Sequence, residues 1–200
     1  MVQAIAPMMS LEDFLAWKPE TGRHELHDGV VVEMQPTGAH ERVVGLLNRK
    51  LNVLIDSANL PYFIPNTAII QPLGYDSAYR PDVLMLDTAA LQKEPLWDRE
   101  SVVTLGESVV LAVEVVSTNW PDDYARKFED YEAIGVPEYW IVDYLGLGGR
   151  RYIGSPKQPT ITVCTLVDDV YQSQLFRRGA AIASPRFPQL KLMADQVFDL

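Results

Sequence analysis

Cysteine is almost missing from this 200-residue chain, where Cys164 stands alone. A single thiol forms no intramolecular disulfide and no cysteine-based zinc site, which fits a reducing compartment, so a cytoplasmic location is expected. No stretch approaches the roughly 18 uninterrupted apolar residues that a membrane helix needs. The opening "MVQAIAPMMS" has neither a basic flank nor a long apolar centre, and the expectation is a chain that is neither exported nor membrane-spanning. Positive charge is scarce as well. Seventeen Lys and Arg against 27 Asp and Glu leave a net charge of −10, which argues against sequence-independent coating of nucleic acid, since that is driven by phosphate neutralisation. A local basic groove stays open. Fixed-period repeats, low-complexity runs and Gly/Ser linkers are also absent, so residues 1–200 read as one domain.

What is present is apolar material, 48% of the residues, enough for a core without staples. "SLEDFLAW" opens with Ser10 as an N-cap and Asp13 at the third helical position, predicting a short helix. "RHELHDGVVVEM" sets Asp28-Gly29 between two alternating runs, the pattern of a tight hairpin. From His40 to about Ser57, Val43, Val44, Leu47, Leu51, Leu54 and Ile55 recur at helical spacing. "PYFIPN" and "TAIIQPL" read as short extended pieces, "RPDVLMLD" as a strand, and "SVVLAVEVVS" as a central strand buried on both faces. A helix is predicted from about Pro121 to Ala133 with Gly135 as its stop, then a strand at "PEYWIVDY". The helical crossover makes the Glu114 strand and this one parallel neighbours. "RRYIG", "TITVCTLVDD", "VYQSQLF" and "AIAS" read as further strands with a turn at Asp168-Asp169, ahead of a loop that packs Phe187, Leu190 and Phe198. The fold class is α+β, a mixed α/β layer around one sheet.

Glu114 lies in the middle of the most apolar strand. A carboxylate there loses solvation worth several kcal/mol unless it gains a cationic partner, a raised pKa or a metal. Asp82 opens the preceding long strand, and pairing of the two strands would bring both side chains to one face. Two carboxylates about 4 Å apart repel by roughly 4 kcal/mol at an effective dielectric near 20, which favours a hard divalent cation between them. Oxygen ligands select magnesium, manganese or calcium over zinc. Lys127, in the helix after the Glu114 strand, is a cation within reach. The alternatives stay open: Glu114 and Lys127 also suit a buried salt bridge, Asp123 and Asp130 give Lys127 an ordinary solvated helix face, and His40 suits capping or packing better than ligation. Tyr124, Tyr131, Tyr139 and Trp140 read as core.

In order, "ELHDG", a helix begun near His40, "RPDVLML", "VEVVS", a helix with an internal lysine, "GVPEYWIVD" and "SPRFPQLKL" resemble the PD-(D/E)xK restriction-endonuclease-like superfamily. The resemblance is closest to a large bacterial family of endonucleases within it, formerly labelled a domain of unknown function, and spans about Ser10 to Phe198. It implies a restriction-endonuclease-like core, a central mixed sheet flanked by helices, with an N-terminal hairpin and a C-terminal β segment. It also implies Asp82 and Glu114 as metal ligands, the carbonyl of Val115 as a third oxygen, and Mg2+ (or Mn2+) as the cofactor. Glu25 of the hairpin matches a further carboxylate of the cluster, and Gln71 is a candidate for orienting water. The sequence departs from the pattern at Val116, where the superfamily places lysine. Lys127 then takes that role.

Three functions follow. The first is a Mg-dependent endonuclease that hydrolyses DNA phosphodiester bonds with Asp82, Glu114, Lys127 and Glu25. The second is a metal-binding or dimerising module that kept the fold without cleavage, and the third is a phosphodiesterase on another nucleic-acid or nucleotide substrate. A homodimer is open in each. Arg42, Arg49, Lys50, Arg80, Arg126, Arg150 and Arg151 are candidates for a phosphate track.

Overall fold

The computed structural model describes residues 8–17, 22–74 and 76–200. Residues 1–7, on which most of the leader argument falls, lie outside them. Helix α1 (Leu11–Trp17) starts as expected, with Ser10 Oγ accepting from Asp13 N at 3.1 Å. Strands β1 (Arg23–His27) and β2 (Val30–Met34) form the hairpin, and Asp28 and Gly29 take φ of 48° and 78°, the left-handed pair that a two-residue turn requires. Helix α2 (Gly38–Ala58) is capped by Thr37, whose hydroxyl accepts from His40 N at 3.3 Å. Capping thus falls to Thr37, not His40. The helix buries Val43, Val44, Leu47, Leu51 and Leu54 on one face.

Short strands β3 (Tyr62–Phe63) and β4 (Ile69–Ile70) follow, then β5 (Val83–Asp87), α3 (Trp97–Glu100), β6 (Val102–Val103) and the central β7 (Val109–Val115). Beyond β7 the predicted helix is split. Asp122–Arg126 make a π-helical turn, and α4 (Lys127–Ala133) continues it. Strand β8 (Glu138–Asp143) pairs parallel with β7, as the crossover requires. The six-stranded mixed sheet has the order β10-β9-β8-β7-β5-β3, completed by β9 (Thr160–Val167) and β10 (Val170–Phe176). Strands β4 and β6 pair apart from it.

One apolar layer packs α2 and the C-terminal segment against Val83, Val113, Val115 and Trp140. The other packs Tyr124, Tyr131 and Tyr171 against Leu84, Ala112, Val116 and Tyr139. Alternation along β7 therefore sends Val113 and Val115 to the α2 side, and Ala112 and Val116 to the α4 side. Two terminal readings change. "RRYIG" is not a strand: α5 (Arg150–Ile153) forms there, because Asp143 binds the N–H groups of Leu147 and Gly148 at 2.9 and 2.8 Å and turns the chain back. "AIAS" makes a single bridge, Ala181 to Met193, and "MADQVFD" closes as α6 (Ala194–Phe198), which brings Val197 into the core. Among the described residues no helix is long and apolar enough to cross a membrane.

Candidate active site

The register of β5 on β7 pairs Val83 with Val113, and continuing it by one residue sets Asp82 opposite Glu114. Asp82 is fixed from several sides. Val115 N donates to its Oδ2 at 2.8 Å, Arg23 Nη1 donates to its Oδ1 at 2.9 Å, and His40 Nε2 lies 3.1 Å from Oδ2. That same His40 nitrogen is 3.0 Å from the carbonyl oxygen of Val115. Both neighbours are acceptors, so Nε2 carries the proton. His40 Nδ1 is buried without a hydrogen-bond partner among the described residues. Burial works against charge on His40, but the Asp82 carboxylate outweighs it and raises its pKa. For Asp82 burial works upward, and His40, Arg23 and the Val115 N–H more than reverse it.

Beside this pair sits an ion-pair cluster withdrawn from solvent. Lys127 is 1% exposed, and its Nζ lies 3.1 Å from Glu25 Oε1, 3.1 Å from Glu114 Oε1 and 3.8 Å from Asp123 Oδ1. Glu25 is held further by Arg80 N, which donates to Oε1 at 2.8 Å, and by His27 Nε2, 2.8 Å from Oε2. Tyr131 donates its hydroxyl to Glu114 Oε1 at 2.9 Å. Three carboxylates thus share one ammonium. Burial alone would raise Glu25, but Lys127, His27 and the Arg80 N–H hold it down at about 2. Burial pushes Glu114 well above the carboxylate range, with Glu25, Asp82 and Asp123 adding to what Lys127 relieves. Asp123 rises to about 7, again through burial. Burial disfavours the Lys127 charge, yet Glu114, Glu25 and Asp123 keep it protonated.

The structure brings together all four side chains singled out from the sequence. Glu25, Asp82, Glu114 and Lys127, with Val115, line one cavity of about 30 Å³, room for a few small occupants such as waters or an ion. Lys127 is not on a solvated face; Asp123 is buried with it, and Asp130 accepts instead from Tyr79. Val116 packs on the same side of β7 as Glu114, and Gln71 is not among the residues that line the cavity. The proposed phosphate track does not assemble: Arg126 pairs with Asp28, and Arg42, Arg49, Arg150 and Arg151 lie exposed away from the cavity. Arg23, His27, His40, Asp123 and Tyr131 were not foreseen as site residues. Period signals were available for four of them, and His40 had none. Arg23 and His27 flank Glu25 at two residues on one strand face, and Asp123 and Tyr131 stand four residues either side of Lys127.

A mixed sheet with an acidic residue at the start of one strand, a second acid in its neighbour and a lysine from the following helix defines the restriction-endonuclease-like fold class. A solved structure described as "a putative nuclease belonging to DUF820 from Anabaena variabilis ATCC 29413" matches with a TM-score of 0.71 at 15% sequence identity, over 96% of this chain and 98% of that one. The family model described as "Uma2: Putative restriction endonuclease" matches residues 11–195. The chain belongs to that family and has its restriction-endonuclease-like fold. No curated protein matches it.

Proposed function

We propose that the protein is a Mg2+- or Mn2+-dependent endonuclease acting on DNA, with the cavity beside Asp82 as its active site. The observation that carries this reading is the convergence of Asp82, Glu114 and Lys127 from three elements on one cavity, with Glu114 short of positive charge. The donor set fits a hard cation. Both partners of Glu114 fall on Oε1, which leaves Oε2 for an ion, and Asp82 and the Val115 carbonyl add oxygen ligands. Among the described residues no three His, Cys, Asp or Glu side chains group as a metal site. Two carboxylates and a carbonyl suit magnesium, which keeps waters and takes substrate phosphate in its remaining positions. A bound ion supplies Lewis-acid polarisation of the phosphate and acidifies water. Lys127 fixes the Glu114 carboxylate and sets a permanent positive charge beside the phosphoryl group, while Glu25 anchors Lys127. His40 and Arg23 hold Asp82 in place.

A second reading, a non-cleaving member of the same fold, draws on one contact: His40 Nε2 spans Asp82 and the Val115 carbonyl, the same oxygens that an ion needs. Supercoiled plasmid and single-stranded oligonucleotide incubated at low salt with Mg2+, Mn2+ or EDTA separate the two. The endonuclease reading expects metal-dependent cleavage that Asp82→Asn reduces at least about a hundredfold, the scale of losing one strong electrostatic contact in the transition state. Product that persists in EDTA overturns the metal-dependent reading, and no product with either metal from folded protein moves the conclusion to the second reading.

A further inference from the structure

Asp82 also borders two open grooves. One, of about 330 Å³, runs past Thr37, Ser117 and Tyr144; the other, of about 430 Å³, runs along α2 and the loop at residues 64–68. Arg23 and Asp82 line both, so the second groove is continuous with the site without yet having a role. Its acidic side chains are Glu41 and Asp82, and amides make up much of the rest of its polar wall. Asn48 and Asn52, one turn apart on α2, face it together with Asn66 and Thr67 of the loop, and Arg80 closes the end beside Asp82.

Two atoms there lack partners. Asn48 Oδ1 and Arg80 Nε are both buried without a hydrogen bond among the described residues, and buried polar groups are ordinarily satisfied. Arg80 makes no ion pair with a described residue, whereas Arg23, Arg126 and Arg178 each hold an aspartate. An arginine left without a carboxylate in a chain with 27 acidic residues is available for another anion, and its planar fork matches a phosphate group. Arg80 and Asp82 are two residues apart, roughly 6.6 Å along extended chain, comparable to the spacing of successive phosphates on one strand. Asparagine amides offer a donor and an acceptor side by side, the complement of a base edge and above all of adenine.

We propose that this groove binds one nucleotide of the substrate strand adjoining the phosphate at Asp82, with Arg80 on its phosphate and the Asn48, Asn52 and Asn66 amides on its base. The substrate class rests on the nuclease reading, but the binding does not need cleavage. The test is an NMR titration of 15N-labelled full-length protein in EDTA, with the four 2′-deoxynucleoside 5′-monophosphates and with 2-deoxyribose 5-phosphate. The mononucleotides are expected to shift the Asn48 and Asn52 side-chain amides and the Arg80 Nε–H, with dAMP binding tightest, while the sugar phosphate shifts Arg80 alone. Asn48→Leu should weaken dAMP about fivefold, the worth of a net hydrogen bond, and leave the sugar phosphate unchanged; Arg80→Gln should weaken both. Equal affinity for sugar phosphate and mononucleotides, or shifts confined to the groove at Tyr144, overturns the proposal. The wild-type titration decides it even where a variant fails to fold. Asparagine shifts without plasmid cleavage would remove the nuclease reading and keep the nucleotide site; cleavage without these shifts would do the reverse.

Discussion

Lys127 faces three carboxylates with one positive charge, and how they divide it sets the pH behaviour of each. Glu25 has the closest support, from Lys127, His27 and the Arg80 N–H, and its pKa falls from 4.5 to about 2. A lowered carboxyl pKa means that the unfolded chain takes the proton first. The stabilisation is therefore complete above pH 4.5 and is lost as pH falls toward 2, a change of about 3 kcal/mol. Glu25→Gln should be less stable at pH 6 and lose this part of the acid limb, which urea unfolding at a series of pH values would show. An unchanged slope between pH 4.5 and 2 would mean that Glu25 does not hold the charge. Asp123 has the opposite sign, since a pKa raised from 3.8 to about 7 gives stability below 3.8 that is lost as pH rises through 7. The protein is thus pulled from both sides near its site.

At the scale of elements, the site depends on how the hairpin, α2 and the π-turn deliver their side chains. The hairpin carries Arg23, Glu25 and His27 on successive same-face positions, and its turn needs left-handed backbone at Gly29. An added Cβ there meets Met8 Cβ at 3.1 Å and the Met9 carbonyl at 3.3 Å. Gly29→Ala should therefore cost about 1 to 2 kcal/mol in thermal or urea unfolding, and lower cleavage through displaced Glu25. A variant as stable and active as the wild type would show that the hairpin does not position the site. The hairpin and α2 were legible in the sequence. Asp28-Gly29 predicted the turn, and the apolar spacing from Val43 to Ile55 predicted α2, because both signals are local. The π-turn was not legible: Lys127 N bonds to Asp122 O, one residue beyond α-helical reach, and nothing in "PDDYARK" marks it. The helix at Arg150 also escaped notice, since it follows from Asp143 capturing two N–H groups of the next loop.

For the whole molecule, the excess of acid at the site gives a prediction that does not depend on turnover. An ion that binds only the folded state adds about 2.7 kcal/mol at a hundredfold excess over its dissociation constant. In a chain of this length that raises Tm by roughly 5 to 10 °C. Differential scanning fluorimetry with millimolar Mn2+ should show the rise in the wild type and its loss in Asp82→Asn. No shift in the wild type would remove the ion from the mechanism. The net charge of −10 acts at this scale too: under the proposed function, nucleic acid would be held by a few placed cations, Arg80 in the proposed groove, in place of a broad basic surface.

Alternation placed Asp82 and Glu114 on one face wherever their strands pair, and the helical crossover made β7 and β8 parallel neighbours, because both are short-range rules legible in the sequence; that β5 does pair with β7 came from the fold. The sequence by itself also determined that Val116 shares the face of Glu114. The tertiary structure alone decided which groups surround that pair. Glu25 and Lys127 are 102 residues apart, His40 and Val115 are 75 apart, and Arg23 and Asp82 are 59 apart. Such contacts depend on how the hairpin and α2 dock on the sheet. That docking is set by burial of Leu26, Val43 and Leu47, an effect without direction that leaves no spacing between the polar partners to read.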